Sequence, residues 1–97
     1  MASLSTHVLD TASGRPAAGV RVALEKDGTV IAHAVTDGEG RVRELAASLA
    51  AGRYRIVFEL ASGFFARVAL DVQVGTEAHY HVPLLLSPFG LVTYRGS

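Results

Sequence analysis

The sequence holds four histidines, and three of them stand where chemistry is possible. His79 and His81 are two residues apart in Glu77–Leu86, a segment that reads as a strand. Two-residue spacing on a strand puts both imidazoles on one face. Pro83 and Leu85 continue that face, and Tyr80, Val82 and Leu84 take the other. Such a pair supports three readings: solvated surface residues, metal ligands at the common His-x-His spacing, or a general base, because imidazole titrates near neutrality. His7 lies in the alternating run Leu4–Leu9, on the face of Ser5 and Leu9. His33 has no nameable partner and reads as structural or exposed. Arg41 follows Gly38-Glu39-Gly40, where its planar fork can clamp an anionic or carbonyl-rich ligand. The plainer reading of Arg41 is a solvated charge after a turn. Asp37-Gly38-Glu39-Gly40 is too short for a phosphate loop and has no long helix behind it. No G-x-S-x-G nucleophile motif is present. The end of the sequence, Tyr94-Arg95-Gly96-Ser97, continues a strand rather than a polar, frayed tail, so it is expected to be ordered.

These residues need strands to position them. Period-two alternation predicts strands over Leu4–Leu9, Val20–Lys26, Thr29–Thr36, Arg53–Leu60, Phe64–Val74, Glu77–Leu86 and Leu91–Arg95. Asp10–Pro16 is dense in turn residues, and Asp27-Gly28 carries a hairpin signal. Glu44–Ala51 reads ELAASLAA and is the one helical candidate, with Gly52 as its C-terminal cap. The expected fold is all-β: an antiparallel β-sandwich of seven or eight short strands with one short helix, forming a single domain over residues 1–97. The run Val82-Pro83-Leu84-Leu85-Leu86 is apolar on both faces. Its second face is either a subunit contact or covered by a loop of its own chain.

Composition narrows the partners. The 97 residues are 49% hydrophobic and 19% charged, a globular balance. Nine Lys and Arg offset nine Asp and Glu, so no basic face for nucleic acid is expected. Without cysteine there is no disulfide framework, thiolate chemistry or cysteine-ligated zinc. A reducing, cytoplasmic setting is therefore expected, or stabilisation by oligomerisation. The start MASLSTHVLDTASGR does not read as a secretory signal, and no run approaches the length of an apolar membrane span.

Three segments together resemble one family. The first is Leu4-Ser-Thr-His7-Val-Leu-Asp10 with Gly14-Arg15-Pro16-Ala17 and Gly19-Val20. The second is Thr36-Asp37-Gly38-Glu39-Gly40-Arg41. The third is His79-Tyr80-His81-Val82-Pro83 with the leucine run to Ser87-Pro88-Phe89-Gly90, closing on Tyr94-Arg95-Gly96-Ser97. Over essentially the whole chain this is similar to the 5-hydroxyisourate hydrolases, the transthyretin-related enzymes of urate degradation. The resemblance implies a prealbumin-like sandwich, a homotetramer with active sites at a dimer–dimer interface, and no metal or organic cofactor. It implies a catalytic set of His7, Arg41, His81 and Ser97. It sets His7, Arg41, Tyr94 and Arg95 against the substrate, with His79 as a supporting partner. The substrate implied is 5-hydroxyisourate, opened to 2-oxo-4-hydroxy-4-carboxy-5-ureidoimidazoline. Two features depart from the family: the segment after Phe65 is short and lacks a Phe-Pro pair, and Leu91-Val92-Thr93 replaces Tyr-Ser-Thr. The rival is a non-catalytic prealbumin-like module for ligand binding or structure. It has no need of two histidines on one face or of the YRGS end, which transthyretin itself lacks.

Overall fold

Alternating apolar side chains build nine strands and no helix in the computed structural model, which describes all residues from Met1 to Ser97. They are β1 (Ala2–Asp10), β2 (Arg15–Pro16), β3 (Arg21–Lys26), β4 (Thr29–Val35), β5 (Arg41–Leu49), β6 (Gly52–Glu59), β7 (Arg67–Val74), β8 (His79–Ser87) and β9 (Gly90–Thr93). One sheet has the order β2-β1-β8-β9, with β5 sharing the free edge of β1 alongside β2. The other runs β4-β3-β6-β7.

The sheets pack face to face through the alternation that the sequence predicts. Leu4, Thr6 and Val8 of β1 are buried, as are Val22 and Leu24 of β3, and Tyr54, Ile56 and Phe58 of β6. Val82 and Leu84 complete the layer from β8. The Asp27-Gly28 hairpin forms as expected. Both residues have positive φ, 52° and 80°, as a two-residue primed turn requires, and Lys26 pairs with Thr29 across it.

The structure corrects three details of the expectation. Glu44–Ala51 is not a helix: most of it belongs to β5, and Gly52 opens β6 instead of capping a helix. The cause lies in the pairing of β5 with β1. Thr6, Leu4 and Ala2 oppose Val42, Ala46 and Leu49, so two steps along β1 meet four and then three along β5. These bulges bury Val42, Leu45 and Leu49, a spacing that imitates a helical stripe. Edge pairing with β1 overrides the Ala and Leu propensity. The second correction is that β1 and β8 run parallel within the otherwise antiparallel sandwich. The third is that β7 starts at Arg67; Phe64 and Phe65 lie in the preceding loop, edge to face with ring centroids 5.1 Å apart.

Candidate active site

The buried parity of β1 leaves Ser3, Ser5 and His7 on the outer face of its sheet. The parallel register sets β8 beside them, pairing Ser3 with His79, Ser5 with His81 and His7 with Pro83. On the opposite edge of β1, β5 pairs Arg41 with His7. Three strands therefore bring His7, Arg41 and His81 together from positions up to 74 residues apart.

A cavity of about 280 Å³ opens on this face and is lined by Ser5, Arg41, Arg43, His79, His81 and Ser97 among others. His7 is beside it, as the strand partner of Arg41. His7 Nε2 lies 2.8 Å from the Glu39 carbonyl. A carbonyl can only accept, so Nε2 carries a proton, and in the neutral ring Nδ1 is then the accepting nitrogen. His81 is half-buried, and its Nδ1 lies 2.7 Å from Ser5 Oγ. Burial pushes the His81 pKa below its ordinary value, and the positive charge on Arg41 and the neighbouring imidazoles of His7 and His79 push the same way. A hydrogen bond to the Ser5 backbone opposes them, as the smallest of these effects.

The loop before Arg41 is built around one carboxylate. Asp37 Oδ1 accepts the backbone N–H of Glu39 at 2.9 Å and of Arg41 at 3.0 Å. Those two donors hold its carboxyl below the usual carboxylate range. The turn thus aims the Glu39 carbonyl at His7 and starts β5 at Arg41. Gly40 makes this possible: its φ is 74°, its carbonyl accepts the Val8 N–H at 2.7 Å, and a Cβ there would collide with the Val8 carbonyl oxygen. Gly40→Ala should therefore cost about 1–3 kcal/mol of backbone strain, with the collision added. A urea melt should show a clearly lowered midpoint, and an unchanged midpoint would refute the close approach.

The strand expected over Leu91–Arg95 ends at Thr93, and the chain returns to β8 only at Gly96. Gly96 donates its N–H to the His81 carbonyl at 2.7 Å, in the register that continues β9 along β8. A Cβ on Gly96 would stand 2.7 Å from His81 Cδ2 and 3.3 Å from Pro83 Cγ, so the tail lies against the imidazole and Ser97 reaches the cavity. Tyr94 and Arg95 do not join this group. They line a separate cavity of about 690 Å³ between the edges of β7 and β9, where Arg95 stacks over Tyr80 at 4.8 Å. No group of three or more His, Cys, Asp or Glu side chains is placed to hold a metal ion. His33 sits on β4, in the other sheet.

Sequence reasoning passed over Ser5 and Asp37. Ser5 shares the face of His7 in the alternation, a visible signal, but its contact with His81 depends on the parallel pairing. Asp37 followed by Gly-x-Gly did mark a tight loop, and its carboxylate is what rigidifies it.

The model of the HIUase/Transthyretin family matches residues 4–96. The chain belongs to that family. Its relatives within it include the 5-hydroxyisourate hydrolases of Caulobacter vibrioides, 43% identical over the whole of both chains, and of Deinococcus radiodurans, 44% identical over 97% of this chain and 95% of the relative. Among solved structures, the 5-hydroxyisourate hydrolase of Klebsiella pneumoniae superposes with a TM-score of 0.94 at 40% identity, covering all of both chains. Sea bream transthyretin in complex with thyroxine shares the family frame at a TM-score of 0.85 and 30% identity, over 96% of this chain and 93% of that one. The Caulobacter alignment runs over 115 positions against the 97 residues here, so this family member lacks segments that the relative carries. In this member the outer sheet face carries the imidazoles of His7, His79 and His81 and the guanidiniums of Arg41 and Arg43.

Proposed function

We propose that this chain hydrolyses 5-hydroxyisourate to 2-oxo-4-hydroxy-4-carboxy-5-ureidoimidazoline, a step of urate degradation, on the outer face of β1, β5 and β8. One observation carries the reading. His7 pairs with Arg41 and His81 lines the same cavity as Arg41, each imidazole with one ring nitrogen tied to the protein, on a frame about 40% identical to proteins that bear the hydrolase name.

Opening a cyclic amide by water needs a base for the water, donors for the oxygen that becomes negative, and a proton for the leaving nitrogen. His81 suits the base, because burial favours its neutral form. As water adds to the ring carbonyl, its proton passes to His81 Nε2. The Arg41 fork stabilises the oxyanion. The C–N bond then breaks, and a proton is returned to the nitrogen from the imidazole side of the cavity. The proton that His81 Nε2 took from the water is the one returned; His7, its Nε2–H committed to the Glu39 carbonyl, offers only an accepting Nδ1 in its neutral form, which orients water or substrate beside Arg41. Ser97 borders the cavity, and the tail acts chiefly by holding the His81 backbone and ring. Tyr94 and Arg95 are assigned to anchoring that tail, with Arg95 fixed on Tyr80. No cofactor takes part in this scheme.

The proposal extends to a homotetramer. The catalytic face is an open sheet surface, and Leu85 and Val92 form a cross-strand apolar pair on it, with Val92 57% exposed. A second copy laid on that face would cover the pair and exclude water from the cavity. No helix is long and apolar enough to cross a membrane; the cytoplasmic location expected from composition belongs to this proposal.

The direct test is freshly generated 5-hydroxyisourate, followed by its ultraviolet absorbance with and without the protein. Accelerated decay is expected, and decay at the spontaneous rate would sink the enzyme reading in favour of a binding module. The pH dependence should follow His81. The base works when neutral, and the folded protein lowers its pKa below 6.5. The rate should therefore hold through neutrality and fall only when acidification passes below the ordinary histidine range of about 6.5. An acid limb displaced above that value would show that the titrating group is not a desolvated His81.

A further inference from the structure

One array on the catalytic face is unused by the scheme above. Ser5 Oγ lies 2.7 Å from His81 Nδ1 and 2.9 Å from His79 Nε2. Ser3 Oγ lies 2.5 Å from His79 Nδ1 and 3.5 Å from the Ala78 carbonyl. The strand register makes the array, since Ser3 faces His79 and Ser5 faces His81. Each hydroxyl has one proton to donate, so the four side chains share a single polarity. The Ala78 carbonyl can only accept, which gives that polarity an end. Ser3 donates to Ala78, His79 Nδ1–H to Ser3, Ser5 to His79 Nε2, and His81 Nδ1–H to Ser5. His81 Nε2 is then left bare.

We propose that Ser3, Ser5 and His79 form a proton relay that holds His81 as the Nε2-bare tautomer and carries the proton it takes from water out to His79. This inference rests on the hydrolytic reading of the same site. When Nε2 gains the water proton, the Nδ1 proton moves to Ser5, and the Ser5 proton moves to His79 Nε2. The hydroxide oxygen is then bonded to the substrate carbon, His81 is neutral with Nε2–H, and His79 is the imidazolium. The same chain runs backward when Nε2–H passes to the leaving nitrogen. The direction of flow follows from burial and charge. His81 is half-buried and faces Arg41 and Arg43 from β5, His7 from β1, and Ser97 from the tail. His79 is exposed, so water stabilises its cation. Ser5, 7% exposed, is shielded from competing water.

Ser5 is therefore a positioning residue, and its removal has a signature beyond lost rate. Nitrogen-15 NMR of the protein without substrate should show His81 with Nδ1 protonated and Nε2 bare. Ser5→Ala should mix the two tautomers, lower kcat at least about tenfold with little change in KM, and move the acid limb. Ser5→Thr keeps the hydroxyl and should restore both the tautomer and most of the rate. His79→Gln, at an exposed position, keeps a partner for Ser5 but cannot carry a proton; it should keep the tautomer while lowering kcat. A His81 tautomer that is the same in wild type and Ser5→Ala, or His79→Gln at the wild-type rate, overturns the relay. If Ser5→Ala does not fold, the Ser5→Thr and His79→Gln arms decide the matter. The NMR arm involves no substrate, so an ordered tautomer in a protein that fails to turn over 5-hydroxyisourate would refute the substrate and leave the hydrogen-bonded array standing.

Discussion

Replacing His81 by alanine should lower turnover at least ~10²-fold and leave the sandwich folded. His81 is half-buried on the outer face of β8, while the core packs through Val82 and Leu84 on the inner face. Removing the imidazole therefore takes the base from the water without opening a cavity in the core. Arg41→Ala should lose a comparable factor for another reason: the fork that neutralises the developing oxyanion is gone. His7→Ala should cost as much, because the accepting Nδ1 beside Arg41 disappears. Its bond to the Glu39 carbonyl is a single exposed contact outside the core, so folding should survive that change too. The three variants can be compared by kcat/KM on fresh substrate, with circular dichroism as the check on folding. A near-normal His81→Ala would remove His81 from the role of base.

Deleting Tyr94–Ser97 should abolish turnover with little loss of stability. The segment contributes no member of the central apolar cluster. What it contributes is the Gly96 N–H bond to the His81 carbonyl, close backbone contact with the His81 ring, and Ser97 at the cavity edge. Without it the His81 ring loses one wall and gains water, and the neutral form is no longer favoured by burial. The Arg95–Tyr80 stack is lost as well, at a cost of about 0.5–1 kcal/mol for an exposed cation–π contact. A β-type circular dichroism spectrum with no activity is the expected pair of results. Full-length protein should sediment at about four times 10.2 kDa. A tail-deleted protein that keeps its rate, or an active monomer, would show that each sandwich is a complete enzyme.

Much of this molecule was legible in residue order because strand alternation is local. Leu4-Thr6-Val8, Val22-Leu24 and Tyr54-Ile56-Phe58 each declare an inner face by their own spacing, and all are buried. Asp27-Gly28 declares its turn because two successive positive φ angles demand such residues. The same parity sets His79 and His81 on one face and His7 with Ser5 on another strand. The misread element shows the limit. Val42, Leu45 and Leu49 stand at helical spacing, yet all three are buried from a strand because bulges against β1 shift its parity, and no local signal in ELAASLAA reports a partner strand.

Residue order thus sets which side chains point outward together along each strand, with imidazole and guanidinium among them. Tertiary structure alone decided which strands lie side by side. The parallel pairing of β1 with β8 joins residues more than seventy positions apart, and it sets Ser5 against both His79 and His81. It also separates Tyr94 and Arg95 from the cavity that holds Ser97, although the four tail residues are adjacent in the chain. The physical reason is that side-chain parity is a property of one strand's backbone. Register and neighbour order come from burying whole faces against one another, and no single segment carries that information.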